Sequence, residues 1–339
     1  MPSLCRQARI VFLAMCAASL AAQKPVAWKD PSPHLTQFVT VDKNVQLEVL
    51  DWGGSGRAVV LLAGGGNTAH IFDDFAPKLA AHCHVYGITR RGFGASGFAD
   101  PLGGVERLGA DVLAVMDALK IEKPVLIGHS FAGAELSAVA NSHSERVSGL
   151  VYLDAGYSYA FDDGNGSSAM EMQQLRAPQP PGPGEADEAG FSALQGYYER
   201  VNGFGFPEAE LRQQRESTAA GTVGKFRNPP GGAMLMSMIK DGKKFTLIPV
   251  PALMLFANPH GLGVWVDESA DPTVRSAAKA FSTTMTALVE KQENAVKKGV
   301  PAARVVTLAG ANHYIFLSNE ADVLREVNAF LSQLRQGWQ

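Results

Sequence analysis

Val125-Leu126-Ile127-Gly128-His129-Ser130-Phe131-Ala132-Gly133 is a short apolar run that turns at a serine set between small residues. The run reads as a buried strand, and Ala132-Gly-Ala-Glu-Leu-Ser-Ala-Val-Ala140 behind it reads as a helix, so Ser130 falls on a strand-to-helix turn. That is the nucleophile-elbow arrangement. Gly128 and Ala132, two residues to either side, leave room where strand and helix fold back on each other. The turn can then hold the serine in a strained backbone conformation with its hydroxyl exposed. The five-residue pattern also arises by chance in ordinary proteins. The strand before it, the helix after it and a suitably placed histidine late in the chain give it weight.

A serine hydroxyl is a poor nucleophile at neutral pH and needs an imidazole to take its proton and a carboxylate to orient that imidazole. Among the eight histidines, His313 is best placed: Ala-Gly-Ala-Asn links it to a strand at Arg304–Leu308, just before the closing helix. A loop at the carboxyl end of a strand is where an α/β sheet keeps its chemistry. For the acid, Asp154 ends the strand next after the nucleophile strand in sequence and is followed by Ala155-Gly156. The alternative is Asp267, because the loop after the strand Ala252–Ala257 reads Asn258-Pro259-His260 and offers no carboxylate before Asp267 and Glu268. His260 is a possible substrate contact. Backbone N–H groups for an oxyanion are expected from Phe131, at the head of the helix, and from Gly64-Gly65-Gly66 after the strand Val59–Ala63, with Gly65 favoured.

Around these residues, apolar runs alternate with helical segments. Strands are expected at 37–41, 45–52, 58–63, 84–89, 125–129, 150–154, 252–257 and 304–308, and helices at 68–81, 105–119, 132–142, 273–298 and 320–335. A hairpin followed by this alternation predicts an α/β fold: a mostly parallel eight-stranded sheet with helices on both faces. About ninety-five residues rich in Gly, Pro and Met separate Asp154 from Ala252. The expected division is therefore a core of 36–156 and 250–339, with a cap inserted at 157–249. Within the insertion Pro178-Gln-Pro-Pro-Gly-Pro-Gly184 reads as a loop, and 191–201 and 208–217 read as helices. Met170, Met172, Met234, Met236 and Met238, with Tyr197, Tyr198, Phe204 and Phe206, suit an adaptable apolar pocket or simply pack the cap on the core.

The chain has 339 residues, 46% of them hydrophobic, and a formal net charge of −3. No run of five like charges occurs, so nucleic-acid and membrane-surface footprints are both missing. At the start, Arg6 and Arg9 precede an apolar segment from Ile10 to Leu20, too short to span a bilayer, and Ser19-Leu20-Ala21 puts small residues where a signal peptidase looks. Residues 1–22 therefore read as a cleavable secretory signal, implying a secreted or periplasmic protein. An uncleaved anchor and a lipoprotein signal ending at Cys16 are the rivals; Met15 before the cysteine fits the latter poorly. Removing that segment leaves only Cys83, which reads as a small buried hydrophobe, and no internal disulfide. His82 and His84 share a strand face but have no third ligand nearby, so no metal is expected there.

Over roughly residues 36–335 the chain resembles an α/β-hydrolase-fold serine hydrolase. Gly128-His-Ser-Phe-Ala-Gly133 matches the elbow. Arg91-Gly-Phe-Gly-Ala-Ser96 resembles the Arg-Gly-aromatic-Gly-x-Ser loop of the branch containing esterases, haloalkane dehalogenases and epoxide hydrolases. Tyr152-Leu-Asp-Ala155 resembles the place where some dehalogenases of that branch carry their catalytic acid. Three positions depart: Ser130 stands where the dehalogenases have a nucleophilic Asp, Ala63 where many relatives have His, and Thr89 where Asp often opens the Arg-Gly loop. A serine forms an acyl-enzyme, so the resemblance implies cleavage of carboxylic esters or related acyl compounds with no cofactor. Arg91 is expected to anchor a loop through an ion pair. Two other readings compete. Gly64-Gly-Gly-Asn-Thr-Ala69 also fits the dinucleotide fingerprint, with Arg90 and Arg91 placed for the 2′-phosphate of NADP, and the fold can also serve a binding protein without turnover.

Overall fold

The computed structural model describes residues 28–99 and 103–336. The expected signal segment, 1–22, lies outside the described residues. The chain divides into two compact units, Met1–Asp30 and Pro31–Gln339, and the fold is that of the second. Its main sheet has eight strands: β1 (Leu35–Asp42), β2 (Val45–Gly54), β3 (Ala58–Leu62), β4 (His84–Ile88), β5 (Val125–His129), β6 (Gly149–Leu153), and, after an insertion with a two-stranded sheet of β7 (Arg215–Ser217) and β8 (Val223–Phe226), β9 (Ala252–Ala257) and β10 (Ala303–Leu308). The order is β1-β2-β4-β3-β5-β6-β9-β10. β1, β2 and β4 pair antiparallel, and every ladder from β4 to β10 is parallel.

The apolar runs explain this arrangement, because strands covered on both faces can be continuously hydrophobic. β5, β6 and β9 are buried at every position. Alternate residues serve opposite faces: Leu126 packs with α2 (Val105–Ala118), α3 (Ala132–Ser142) and α9 (Pro272–Gly299), while Val125 and Ile127 pack with α1 (Ala76–Ala80) and α11 (Glu320–Gln336). The remaining helices are α4 (Ala169–Gln174), α5 (Phe191–Asn202), α6 (Glu208–Gln214) and α7 (Gly231–Asp241) between β6 and β9, α8 (Val264–Asp267) after β9, and α10 (Ile315–Ser318) after β10.

Two expectations need correction. The helix expected over 68–81 is a 3₁₀ turn at Ala69–Phe72 followed by the separate α1, whose first turn holds Pro77, where a missing N–H costs nothing. The helix expected over 208–217 stops at Gln214, because Arg215 enters the β7–β8 pairing and its Nε donates to the Gly224 carbonyl. The insertion has a small core of its own, built from Phe191, Leu194, Tyr197, Leu211 and Val223, and Met234 and Leu235 of α7 pack with Phe131.

Candidate active site

Ser130 sits directly after β5 with φ of +50°. Few side chains adopt this left-handed region without compensation, and here the ladder supplies it. The Ser130 N–H donates to the Leu153 carbonyl at 3.2 Å, and the Ser130 carbonyl accepts from Gly133 N–H at 2.9 Å. A Cβ on Gly133 would lie 2.1 Å from the Ala155 carbonyl oxygen, so the elbow needs glycine there; one on Gly128 would meet the Ala132 Cβ at 3.0 Å.

Asp154 directly follows β6 in a second left-handed turn, φ +45°, and is fully buried. Its Oδ2 accepts from His313 Nδ1 at 2.6 Å, and Ser130 Oγ donates to His313 Nε2 at 2.9 Å. These partners define the imidazole tautomer, with the proton on Nδ1. Asp154 Oδ1 accepts from the Tyr157 hydroxyl at 2.8 Å and from Ala257 N–H at 3.0 Å. Burial pulls the Asp154 carboxyl upward, but His260, His313 and the Ala257 amide outweigh it and hold the group below its ordinary range. Asp267, in contrast, is exposed at the end of α8.

His260 follows β9, the strand that could have carried the acid. Its Nε2 lies 3.4 Å from Asp154 Oδ2 and 3.1 Å from the Tyr157 hydroxyl, and its ring stacks on His313 with centroids 6.2 Å apart. Burial pushes its pKa down. Tyr159, tilted against Phe131 with ring centroids 5.9 Å apart, sets its hydroxyl against that of Ser130. His129 is buried beneath His313, and its Nε2 donates to the His313 carbonyl at 3.0 Å. Burial, reinforced by the nearby His313, drops the His129 pKa to about 3, so this imidazole stays neutral.

Opposite Ser130 lies the Gly64–Gly66 loop. A Cβ on Gly64 would come within 3.2 Å of the Ser130 Cβ, and one on Gly65 within 3.8 Å of the Phe131 Cβ, so the loop backbone rests directly on the elbow. Arg90 fixes it there: buried, it pairs with Glu135 of α3 and donates to the carbonyls of Ala63 at 2.7 Å and Gly64 at 3.2 Å. From the insertion, Glu210 of α6 accepts from Asn67 Nδ2 at 2.8 Å and from the backbone and hydroxyl of Thr68. Burial raises the Glu210 carboxyl. A cavity of about 670 Å³ opens beside Gly65 and Gly66, with Phe93, Phe98, Phe226 and Tyr314 on its walls.

The structure thus brings Ser130, His313, Asp154, Gly65, Phe131 and His260 together and leaves Asp267 outside. Arg91 is buried against Asp111, with Nη2 to Oδ1 at 2.6 Å, and Arg90 is likewise committed, which removes both from a nucleotide role. The Gly64 loop also runs into a 3₁₀ turn, not the helix a dinucleotide fingerprint requires. Among the described side chains, none of the insertion's expected methionines and aromatics lines the cavity beside Gly65; Tyr197 fills the insertion's own core and Met236 is exposed. His84 pairs with Asp51 at 2.9 Å and stacks on Tyr86, and Cys83 is buried. Sequence reading missed Tyr157 and Tyr159, although both stand within five residues of Asp154. It also missed Glu210, which nothing in the local pattern marks.

Residues 59–326 match the profile of the Alpha/beta hydrolase family. The chain belongs to this family. Among curated α/β-hydrolase relatives, it is 26% identical to epoxide hydrolase A of Mycobacterium tuberculosis, over 67% of this chain and 65% of that enzyme. It is 34% identical to the 2-hydroxy-6-oxo-2,4-heptadienoate hydrolase of Pseudomonas putida over 33% of this chain and 42% of that one. The chain therefore matches less than two thirds of the length of either. The solved structure of carboxylesterase CesB from Bacillus subtilis has the same fold, with a TM-score of 0.56, 14% identity and coverage of 89% of this chain and 92% of that one. An E-2-(acetamidomethylene)succinate hydrolase has a TM-score of 0.60 at 16% identity, covering 88% and 99%. No helix among the described residues is long and apolar enough to cross a membrane.

Proposed function

We propose that this hydrolase cleaves carboxylic esters of small to medium apolar or aromatic acyl compounds through an acyl-enzyme on Ser130. The observation that carries the proposal is the unbroken chain Ser130 Oγ to His313 Nε2 at 2.9 Å and His313 Nδ1 to Asp154 Oδ2 at 2.6 Å. In the forward step His313 Nε2 takes the hydroxyl proton as Oγ bonds to the ester carbonyl carbon. The oxygen that becomes negative faces the Gly65 and Phe131 amides, and collapse expels the alcohol, which takes the proton from His313. Water, deprotonated by the same imidazole, attacks the acyl-enzyme and releases the acid. Asp154 stays ionised throughout, which its three hydrogen-bond donors and depressed pKa favour.

A serine argues against epoxide opening of the kind the first relative is named for: attack of Oγ on an epoxide carbon forms an ether, with no carbonyl for water to attack. The aromatic walls of the cavity beside Gly65 support an apolar acyl group, with residues 157–249 acting as a cap over it. A fluorophosphonate probe should label the wild type and not Ser130→Ala, and a p-nitrophenyl ester series should peak on uncharged acyl chains. An unlabelled wild type sinks the acyl-enzyme; a peak on charged acyl groups sinks the substrate class.

A further inference from the structure

A second cluster of chemically capable side chains lies outside the active site, where the segment leading into β1 meets the turn that follows the Gly64–Gly66 loop. His34, His70 and Asp73 each present a ligand atom there, all within 4.8 Å of one another. Their side chains are nearly closed to solvent, at 4%, 7% and 4% exposure. We propose that these three residues hold a divalent transition-metal ion of the zinc class, with Glu48 orienting His70 from behind.

Three observations carry this. The first is spacing. His34 Nδ1 lies 3.0 Å from Asp73 Oδ1, and His70 Nδ1 lies 3.1 Å from Asp73 Oδ2. Zinc bonds to nitrogen and oxygen of about 2.0–2.1 Å place tetrahedral ligands about 3.3–3.4 Å apart, so each of the two carboxylate–imidazole spacings lies within a few tenths of an ångström of what an ion requires. The second is the shell behind the donors. His70 Nε2 faces Glu48 Oε1 at 3.6 Å, and Glu48 Oε2 accepts from the Thr89 hydroxyl at 2.7 Å. A carboxylate on this side of the ring can fix the tautomer of a metal-ligating histidine, with Nδ1, now facing Asp73, turned to the ion. On the other side Ser32 Oγ donates to Asp73 Oδ1 at 2.8 Å and accepts from Trp52 Nε1 at 3.2 Å, so Asp73 too is held in place. The third is charge. Two buried carboxylates, Glu48 and Asp73, match a doubly charged ion, and the mixed N and O donor set suits zinc better than calcium or magnesium. Such an ion would pin the chain ahead of β1 to the turn carrying His70 and Asp73, four and seven residues beyond Gly66 of the oxyanion loop.

The test is zinc titration of the EDTA-stripped full chain by calorimetry, with melting followed in parallel. One equivalent should bind the wild type with a rise in melting temperature. His34→Gln and Asp73→Asn should abolish that equivalent, and Glu48→Gln should weaken it about 10–100-fold. His82→Ala/His84→Ala should bind as the wild type does. Absence of saturable binding overturns the proposal, as does binding that survives in Asp73→Asn or disappears in the His82/His84 variant. If the ligand variants fail to fold in EDTA, X-ray absorption of the zinc-loaded wild type decides. Two imidazoles among the scatterers support the site, and any other count overturns it.

Discussion

Asp154→Asn tests the catalytic reading most sharply, because the structure dictates which way the new amide must face. Asp154 Oδ1 accepts from the Ala257 N–H at 3.0 Å, a donor that cannot reverse, and from the Tyr157 hydroxyl at 2.8 Å. An asparagine keeps its carbonyl oxygen at that position, which turns its NH₂ toward His313 Nδ1, 2.6 Å away. Two donors would then meet, and the imidazole resolves the clash by moving its proton to Nε2. There it faces Ser130 Oγ as a donor and can no longer take the hydroxyl proton. In triads of this type the same exchange of tautomer lowers kcat by about 10⁴, roughly 5.5 kcal/mol of transition-state stabilisation. The assay is kcat on a p-nitrophenyl ester, with urea unfolding to show that the fold persists and Asp267→Asn as the control. Activity within tenfold of wild type for Asp154→Asn, or a collapse in Asp267→Asn instead, refutes the assignment of the acid.

Three further outcomes follow from the same surroundings. His129 has a folded pKa of about 3, far below its ordinary 6.5, so as pH falls below about 6.5 the unfolded chain takes a proton that the folded chain refuses. Stability should drop by about 1.4 kcal/mol per pH unit in that window, roughly 2 kcal/mol by pH 5, and His129→Gln should flatten the decline; equal slopes in urea titrations of the two proteins would contradict this. Glu210→Ala leaves the Asn67 amide and both Thr68 donors buried without an acceptor and should cost roughly 3 kcal/mol or more, a loss under about 1 kcal/mol in chemical denaturation counting against it. Gly64→Ala puts a methyl 2.6 Å from His129 Nδ1 and must lift the oxyanion loop off the elbow, lowering kcat about 10²–10³-fold with little change in KM; kcat within a factor of ten of wild type would remove the loop from the mechanism.

Legibility in the sequence followed the physics of each element. Strands such as Val125–His129 and Ala252–Ala257 are buried on both faces, so their apolar runs are unbroken and announce themselves. The Ser and Asp positions were readable for a related reason, since each follows such a run at its carboxyl end, whereas His313 lies five residues beyond the partly exposed β10. Residues 69–80 misled because their apolar spacing suits a helix, whereas Pro77 restarts the chain and splits it. Glu210, Arg90 and His129 were opaque as functional neighbours. Their meaning comes from partners 143, 45 and 184 residues away, and no local pattern encodes such pairings. Of the two readings open for the cap aromatics, packing holds for Tyr197; apolar periodicity shows that a face is covered without showing what covers it.

Ser130 and Asp154 follow neighbouring parallel strands in register, with His129 opposite Leu153, and their turns are tied by Ser130 N–H to the Leu153 carbonyl and Asp154 N–H to the Leu255 carbonyl. Their separation is therefore set by the pitch of the sheet, about 4.8 Å per strand, and warms or cools hardly at all. His313 alone rides on a loop, with its side chain 39% exposed. Thermal adaptation of turnover in such a protein would then be written in Ala309–Asn312, the four residues that steer the imidazole, while the anvil on which it strikes stays the same at any growth temperature.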